Sequence, residues 1–126
     1  MTHQPAWIAI PRRRLTRDEQ SWVKEILSAS KRWADVTVGE LFAIGKCPCG
    51  FCRAIQLEAP VCPQNPEAKG RGQIGDIDIH TTAGDVINVA LYADNGSLSD
   101  LDVLCEFGFK PVPESWIEVS RYIEAR

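Results

Sequence analysis

Three cysteines lie close together in the segment CPCGFC, residues 47–52, and a fourth candidate follows ten residues later. Thiolates are ligands for zinc, which structural sites hold in a tetrahedron with sulfur at about 2.3 Å. The spacing departs from the paired C-x2-C knuckles of common zinc sites, so no obligatory cofactor is expected and a second interpretation stays open. In that interpretation the reduced cysteines pack in a tight turn as small apolar side chains. The residues that would bind zinc are Cys47, Cys49, Cys52 and Cys62.

The last four residues of that segment, Cys49 to Cys52, also have the C-x-x-C spacing of thiol–disulfide sites. Thioredoxin-like sites place the first cysteine at a helix start within a βαβ unit, which lowers its pKa. No such unit is indicated here, so the spacing does not by itself predict a redox function. Cys105, near the end of a predicted strand, is interpreted as a core residue.

Carboxylates recur at alternate positions in two predicted strands, where side chains two apart share one face. A half-buried sheet leaves that face in solvent, so we expect an acidic surface that attracts a basic partner. Metal binding by these groups is the alternative, and with so few histidines we assign no catalytic residues. The predicted partner-binding residues are Asp76, Asp78, His80, Asp100, Asp102 and Glu106.

Two further motifs are weaker. Residues 70–75, GRGQIG, match the dinucleotide pattern G-x-G-x-x-G, but that pattern needs a strand before it and a helix after it. A Pro-rich stretch precedes these glycines and an alternating strand follows, so we reject the match. The triplet Arg12-Arg13-Arg14 could bind phosphate, but a solvated basic stretch that pairs with the acidic sheet face is the preferred interpretation.

The elements that position these residues follow from periodicity. Thr16 and Glu19 form a capping-box pair, and apolar residues at helical spacing behind them predict a helix over about 17–32. We expect Trp22 and Trp33 to anchor this helix to a sheet. Strands are predicted within 36–46, at 54–58, at 76–80, at 86–92 and at 98–105, the last two joined by an Asn-Gly turn. The expected fold is α+β, an N-terminal amphipathic helix packed on an antiparallel meander of about five strands.

Length and charge limit the function further. The 126 residues correspond to a single domain, 1–126, with a partly flexible N-terminus at 1–14 and a long loop at 59–73. The net charge of -3 combines a basic segment 1–33 with an acidic remainder, and residues 76–106 contain seven acids but no Lys or Arg. We therefore expect no nucleic-acid partner, no membrane association and a cytoplasmic location with reduced thiols.

Two segments, GKCPCG at 45–50 and DVINVALYADNGSLSDLDV at 85–103, resemble a family of small uncharacterised bacterial proteins with a capped helix, a C-x-C-G turn and an Asp/Asn-Gly hairpin. This chain departs from that pattern at Phe51. The resemblance implies the fold and carries no established activity. In size and charge pattern the chain is also similar to immunity proteins of toxin systems, including contact-dependent growth inhibition.

Three functions follow from the sequence. The preferred hypothesis is a non-catalytic immunity-type protein that neutralises a basic, nuclease-like toxin through its acidic sheet face. The second is a small structural zinc-binding domain built on the cysteine cluster. The third is a small hydrolase that uses His80 with neighbouring carboxylates.

Overall fold

The computed structural model describes residues 7–29, 33, 36–49, 52–60, 70–81 and 84–105. Across these residues, one α-helix, α1 (Arg17–Ser28), and a short 3-10 helix (Val38–Glu40) accompany six strands. The strands are β1 (Ile8–Arg14), β2 (Phe42–Lys46), β3 (Ile55–Glu58), β4 (Arg71–His80), β5 (Val86–Asp94) and β6 (Ser97–Cys105). Within these residues no helix is long and apolar enough to cross a membrane.

Helix α1 begins where the capping-box pair predicts. The backbone N–H of Glu19 donates to the Thr16 hydroxyl at 3.1 Å, and the Thr16 N–H donates to the Glu19 carboxylate at 2.8 Å. The helix ends at Ser28, earlier than the predicted boundary near residue 32. The Ser28 hydroxyl donates to the Glu25 carbonyl at 2.7 Å, one of the local serine bonds that compete with continued helix.

The core lies between α1 and one face of the sheet. Trp22, Val23, Ile26 and Leu27 form the buried side of the helix, which packs on β4 and β5. Opposite them are the apolar residues of the alternating strands, including Ile77, Ile79, Ile87, Val89, Leu91, Leu101 and Val103. Trp33 is also buried in this core but lies beyond the end of α1, so the prediction that a tryptophan of the helix anchors it to the sheet is confirmed for Trp22 alone.

In the described part of the chain the sheet contains six antiparallel strands in the order β1-β2-β3-β6-β5-β4. The α+β prediction is therefore confirmed, but the sheet has one more strand than expected. It consists of two three-stranded meanders, joined where β3 pairs with β6 through Ile55↔Leu101 and Gln56↔Asp100. The chain between β3 and β4 leads from the middle of the sheet to its far edge, which a single meander does not require.

Strand β1 is the strand that the sequence analysis did not assign. Its residues, IAIPRRR, contain a proline and three arginines, and such a composition does not predict a strand. Proline is tolerated in an edge strand, and the register shifts between Ala9 and Arg13, around Pro11. Strand β4 also begins earlier than expected, at Arg71, so residues 71–73 of the predicted long loop belong to the sheet.

We predict that Thr16→Ala lowers the free energy of unfolding by about 1 kcal/mol, because the helix loses its N-terminal side-chain acceptor. Thr37→Ala is the matched control, since Thr37 precedes the 3-10 helix without a side-chain capping bond. Urea denaturation of both variants measures the difference. Equal losses in the two variants would contradict a specific role for the capping box.

Candidate functional site

The turn between β2 and β3 brings three cysteines together. The Sγ atoms of Cys47, Cys49 and Cys52 all lie within 4.8 Å of one another. Zinc bonded to thiolates at 2.3 Å in a tetrahedron would place its sulfurs about 3.8 Å apart. The spacing of the three sulfurs therefore suits a common metal ion. The predicted fourth ligand, Cys62, lies outside the described residues.

Backbone hydrogen bonds hold this turn. The Cys47 N–H donates to the Ala54 carbonyl at 3.1 Å and closes the base of the turn. The Arg53 N–H donates to the Val103 carbonyl at 2.8 Å, which attaches the end of the turn to β6. The Cys52 N–H donates to the Cys49 sulfur at 3.3 Å, a bond that stabilises negative charge on that sulfur. The ligand atoms are thus positioned by the sheet and not only by the local sequence.

The cysteines differ in their surroundings. Cys49 is exposed, whereas Cys47 and Cys52 are half-buried, and Cys49 and Cys52 lie 3.2 Å apart at sulfur. Burial raises the pKa of the Cys52 thiol to about 12; an Ala54 backbone hydrogen bond lowers it, and the neighbouring sulfurs of Cys49 and Cys47 raise it further. Without a metal ion the Cys52 thiol is therefore protonated at neutral pH. A bound cation would displace that proton and offset the repulsion between the sulfurs.

A cleft of about 510 Å³ borders the cluster, between the start of α1 and the ends of the central strands. Cys47 and Cys52 form part of its wall, together with Lys46 and Arg53. The other wall includes Trp22 and the ion pair between Arg13 and Glu19, which join at 2.8 Å. A small molecule entering this cleft can reach two of the three cysteines.

The predicted acidic sheet face is mostly buried, which contradicts the expectation of a solvent-exposed surface. Asp76, Asp78 and Asp100 are only 4%, 8% and 2% exposed, and the Asp102 side chain is 34% exposed. Alternation correctly placed these residues on the sheet face opposite the core side chains. It could not predict whether that face meets solvent, because coverage depends on tertiary contacts.

The buried carboxylates accept hydrogen bonds from side chains on other strands of the sheet. The Asn88 amide on β5 donates to both Asp76 and Asp78 at 2.9 Å. Arg71, the first residue of β4, donates to Asp100 through two nitrogens at 3.2 and 2.6 Å, and lies 3.6 Å from Asp102. The Arg71 guanidinium also stacks on the ring of Tyr92 at 3.7 Å from the centroid. These contacts make a polar network that is partly neutralised by Arg71.

The remaining predicted site residues are less informative. His80 is half-buried at the end of β4, opposite Val86, and does not line the cleft beside the cysteines. Glu106 lies outside the described residues. The structure therefore brings together the three cysteines and the four aspartates in two separate groups. Arg71 was missed by the sequence analysis because it precedes the alternating segment from which the acidic face was inferred.

Two arginines of the triplet pair with glutamates instead of the acidic sheet face that was expected. Arg12 donates to Glu58 at 2.7 Å and stacks on Phe42 at 3.5 Å from the ring centroid. Arg13 binds Glu19 through two hydrogen bonds at 2.8 and 3.1 Å. The reason is topological: the triplet belongs to β1, at the opposite edge of the sheet from β4. Residues 71–75 belong to β4 and no helix follows them in that strand, in keeping with rejection of the dinucleotide motif.

We predict that Arg71→Met lowers the free energy of unfolding by about 3 kcal/mol, because the buried Asp100 carboxylate loses its counter-charge. Arg12→Met is a matched control, since Arg12 also joins a carboxylate and stacks on an aromatic ring but is exposed. We expect that control to lose less than about 1 kcal/mol. Denaturant unfolding measures both. The Arg71→Met/Asp100→Asn double variant should recover part of the loss, and no recovery would contradict the charge explanation.

The raised pKa of Asp102 predicts that the free energy of unfolding depends on pH. Burial raises the pKa of Asp102 to about 7, with a further increase from Asp100, while Arg71 lowers it. An unfolded aspartate titrates near pH 3.9, so the folded state binds an extra proton between about pH 4 and 7, and this contribution to stability falls as the pH rises. We expect Asp102→Asn to stabilise the protein at pH 8 by on the order of 1 kcal/mol, discounted for solvent screening, with little effect at pH 4. Thermal denaturation at both pH values tests this, and a pH-independent effect would contradict it.

Comparison of the chain with protein-family models, with curated proteins and with solved structures finds no match. The resemblance to small bacterial proteins, based on residues 45–50 and 85–103, therefore stays a prediction. The geometry of the cysteine cluster and of the buried carboxylates is the basis on which a function can be assigned to this chain.

Proposed function

We propose that this protein is a small zinc-binding domain whose metal ion is held by Cys47, Cys49 and Cys52 at the turn between β2 and β3. The observation that carries the proposal is the convergence of three sulfur atoms within 4.8 Å. Soft thiolate ligands favour zinc over magnesium or calcium, which prefer oxygen. The role proposed for the metal is structural, since it would cross-link the turn that connects two adjacent strands.

The hydrogen bonds and charges around the cluster support a thiolate site. The Cys52 N–H directed at Cys49 is the kind of outer contact that orients and stabilises a metal-bound sulfur. Lys46 and Arg53 lie next to Cys47 and Cys52 in the sequence and line the adjoining cleft. Three thiolates with one divalent cation would carry a net negative charge, which is opposite in sign to the charges of these two residues.

The fourth position of the tetrahedron separates two versions of the proposal. Cys62, predicted from the sequence as a ligand, would complete a closed four-cysteine structural site. Water would complete a three-cysteine site that stays open to exchange. We propose the closed site, because four protein ligands are the usual arrangement where zinc serves a structural purpose.

The immunity-type hypothesis stays a prediction with less support. It requires an exposed acidic face, whereas Asp76, Asp78 and Asp100 are buried and Asp100 is paired with Arg71. The hydrolase hypothesis also has less support, since His80 does not line the cleft beside the cysteines. Neither a basic toxin nor a hydrolysable substrate is therefore part of the proposal.

We expect the full-length protein, purified without chelator under reducing conditions, to contain one zinc ion per chain by elemental analysis. Cys47→Ser, Cys49→Ser and Cys52→Ser should each reduce zinc affinity by at least about tenfold, as loss of a metal contact typically does. Because Cys52 must lose its proton, affinity should rise about tenfold per pH unit from this thiol alone near neutral pH. Competition with a chromogenic chelator at several pH values measures both effects.

Two controls accompany this experiment. Cys105→Ala removes a cysteine that is not among the predicted ligands, and we expect the zinc content to stay at one per chain. Cys62→Ser tests the fourth ligand: weakened binding supports the closed site, and unchanged binding assigns the fourth position to another group. Zinc well below one per chain in reduced wild-type protein, even after addition of zinc, would overturn the proposed function.

A further inference from the structure

Cys49 and Cys52 are arranged so that they can join to each other. Their sulfurs are 3.2 Å apart, and formation of a disulfide of about 2.05 Å needs an approach of only about 1.2 Å. The two residues are separated by Gly50 and Phe51, the C-x-x-C spacing at which thiol–disulfide exchange is common. The C-x-x-C spacing did not by itself predict a redox function, but the short distance between the two sulfurs supports one.

The two sulfurs also differ in accessibility. Cys49 is exposed, so a reagent in solution reaches it directly, while Cys52 is half-buried against the wall of the cleft. The Cys52 N–H donates to the Cys49 sulfur and keeps the two residues facing each other. Such an arrangement, an accessible thiol beside a less accessible partner, is typical of an attacking and a resolving cysteine.

We propose that Cys49 and Cys52 are a site of reversible oxidation by low-molecular-weight disulfides, and that formation of their disulfide releases the metal ion. The release step rests on the proposed zinc-binding function. The formation of the disulfide does not, because it requires only the two adjacent thiols and the reagent.

The reaction balances as two exchange steps. The Cys49 sulfur attacks one sulfur of the reagent, whose S–S bond breaks and releases the first thiol. The Cys52 sulfur then attacks Cys49 in the mixed disulfide and releases the second thiol, so that two electrons pass from the two cysteines to the reagent. Each leaving sulfur takes up one proton, from the cysteines or, where the cysteines were bound to zinc as thiolates, from water, and zinc leaves as Zn²⁺ without any change in oxidation state.

Loss of the metal follows from the loss of ligands. Zinc is bound by thiolates, and a disulfide sulfur carries no negative charge. After oxidation Cys47 is the only thiol left among the three clustered cysteines of the described chain. A reductant that restores both thiols should restore the site.

The test treats reduced, zinc-loaded full-length protein with glutathione disulfide and follows zinc with a chromogenic indicator. We expect one zinc released per disulfide formed, together with loss of two hydrogens from the protein mass, and recovery of both on reduction. Trypsin cleavage after Lys46 and Arg53 yields a peptide, residues 47–53, that contains all three cysteines. After alkylation, fragmentation should place the alkyl group on Cys47.

Variants separate the two parts of the proposal. Cys47→Ser keeps the reactive pair and should form the same disulfide although it binds zinc more weakly, whereas Cys49→Ser should form none. Cys105→Ala should react like the wild type. A disulfide that uses Cys47 or Cys62, or a stable mixed disulfide on Cys49, would overturn the assignment of the pair. Full oxidation with zinc retained would overturn the release step, while failure of the reduced wild type to bind zinc would refute only the proposed function on which that step rests.

Discussion

The short pairing between β3 and β6 is the constraint on which the rest of the structure depends. Only Ile55↔Leu101 and Gln56↔Asp100 are matched across it, yet this pairing joins the two meanders into one sheet. Arg53, just before β3, adds a further bond to the Val103 carbonyl. Through these contacts the turn between β2 and β3 that carries Cys47, Cys49 and Cys52 (the cysteine turn) is attached to β6. Asp100 lies where the two halves of the sheet meet.

The two faces of the sheet are stabilised in different ways. The face toward α1 is apolar and gains stability from removing hydrocarbon surface from water. On the other face Asp100 is almost fully buried, and the cost of removing its charge from water is offset by the two hydrogen bonds from Arg71. Asp102 has a longer contact to the same arginine, and burial there raises its pKa to about 7. One arginine thus contacts two neighbouring carboxylates.

In the cysteine turn, by contrast, three thiols lie close together, and none of the three provides a positive charge for the others. Burial and the neighbouring sulfurs make the Cys52 thiolate unfavourable, which is the condition that a divalent cation or a disulfide bond would relieve. Zinc binding and oxidation use the same sulfurs, so they compete. The proposed function and the proposed redox chemistry are therefore two outcomes of one arrangement.

The sequence by itself determined the local elements and the faces on which their residues lie. Thr16 and Glu19 defined the start of α1, and the Asn95-Gly96 turn joined β5 to β6. Alternation within β4 placed Ile77 and Ile79 on one face of the sheet and Asp76 and Asp78 on the other. These features depend on residues a few positions apart, for which hydrogen-bonding and packing preferences are local. The cysteine spacing likewise predicted three of the sulfur atoms that the fold brings together.

Only the tertiary structure decided which strands pair, which polar face is buried and which sulfurs approach one another. β1 was not predicted because its composition, Pro11 and three arginines, does not indicate a strand. A proline fits there because β1 is an edge strand, and its position at the edge depends on contacts with the rest of the chain. The prediction of an exposed acidic face was wrong because the burial of Asp100 depends on Arg71, twenty-nine residues earlier in the chain. Contacts of this kind form between residues distant in sequence, and their free energies depend on a geometry that no local pattern contains.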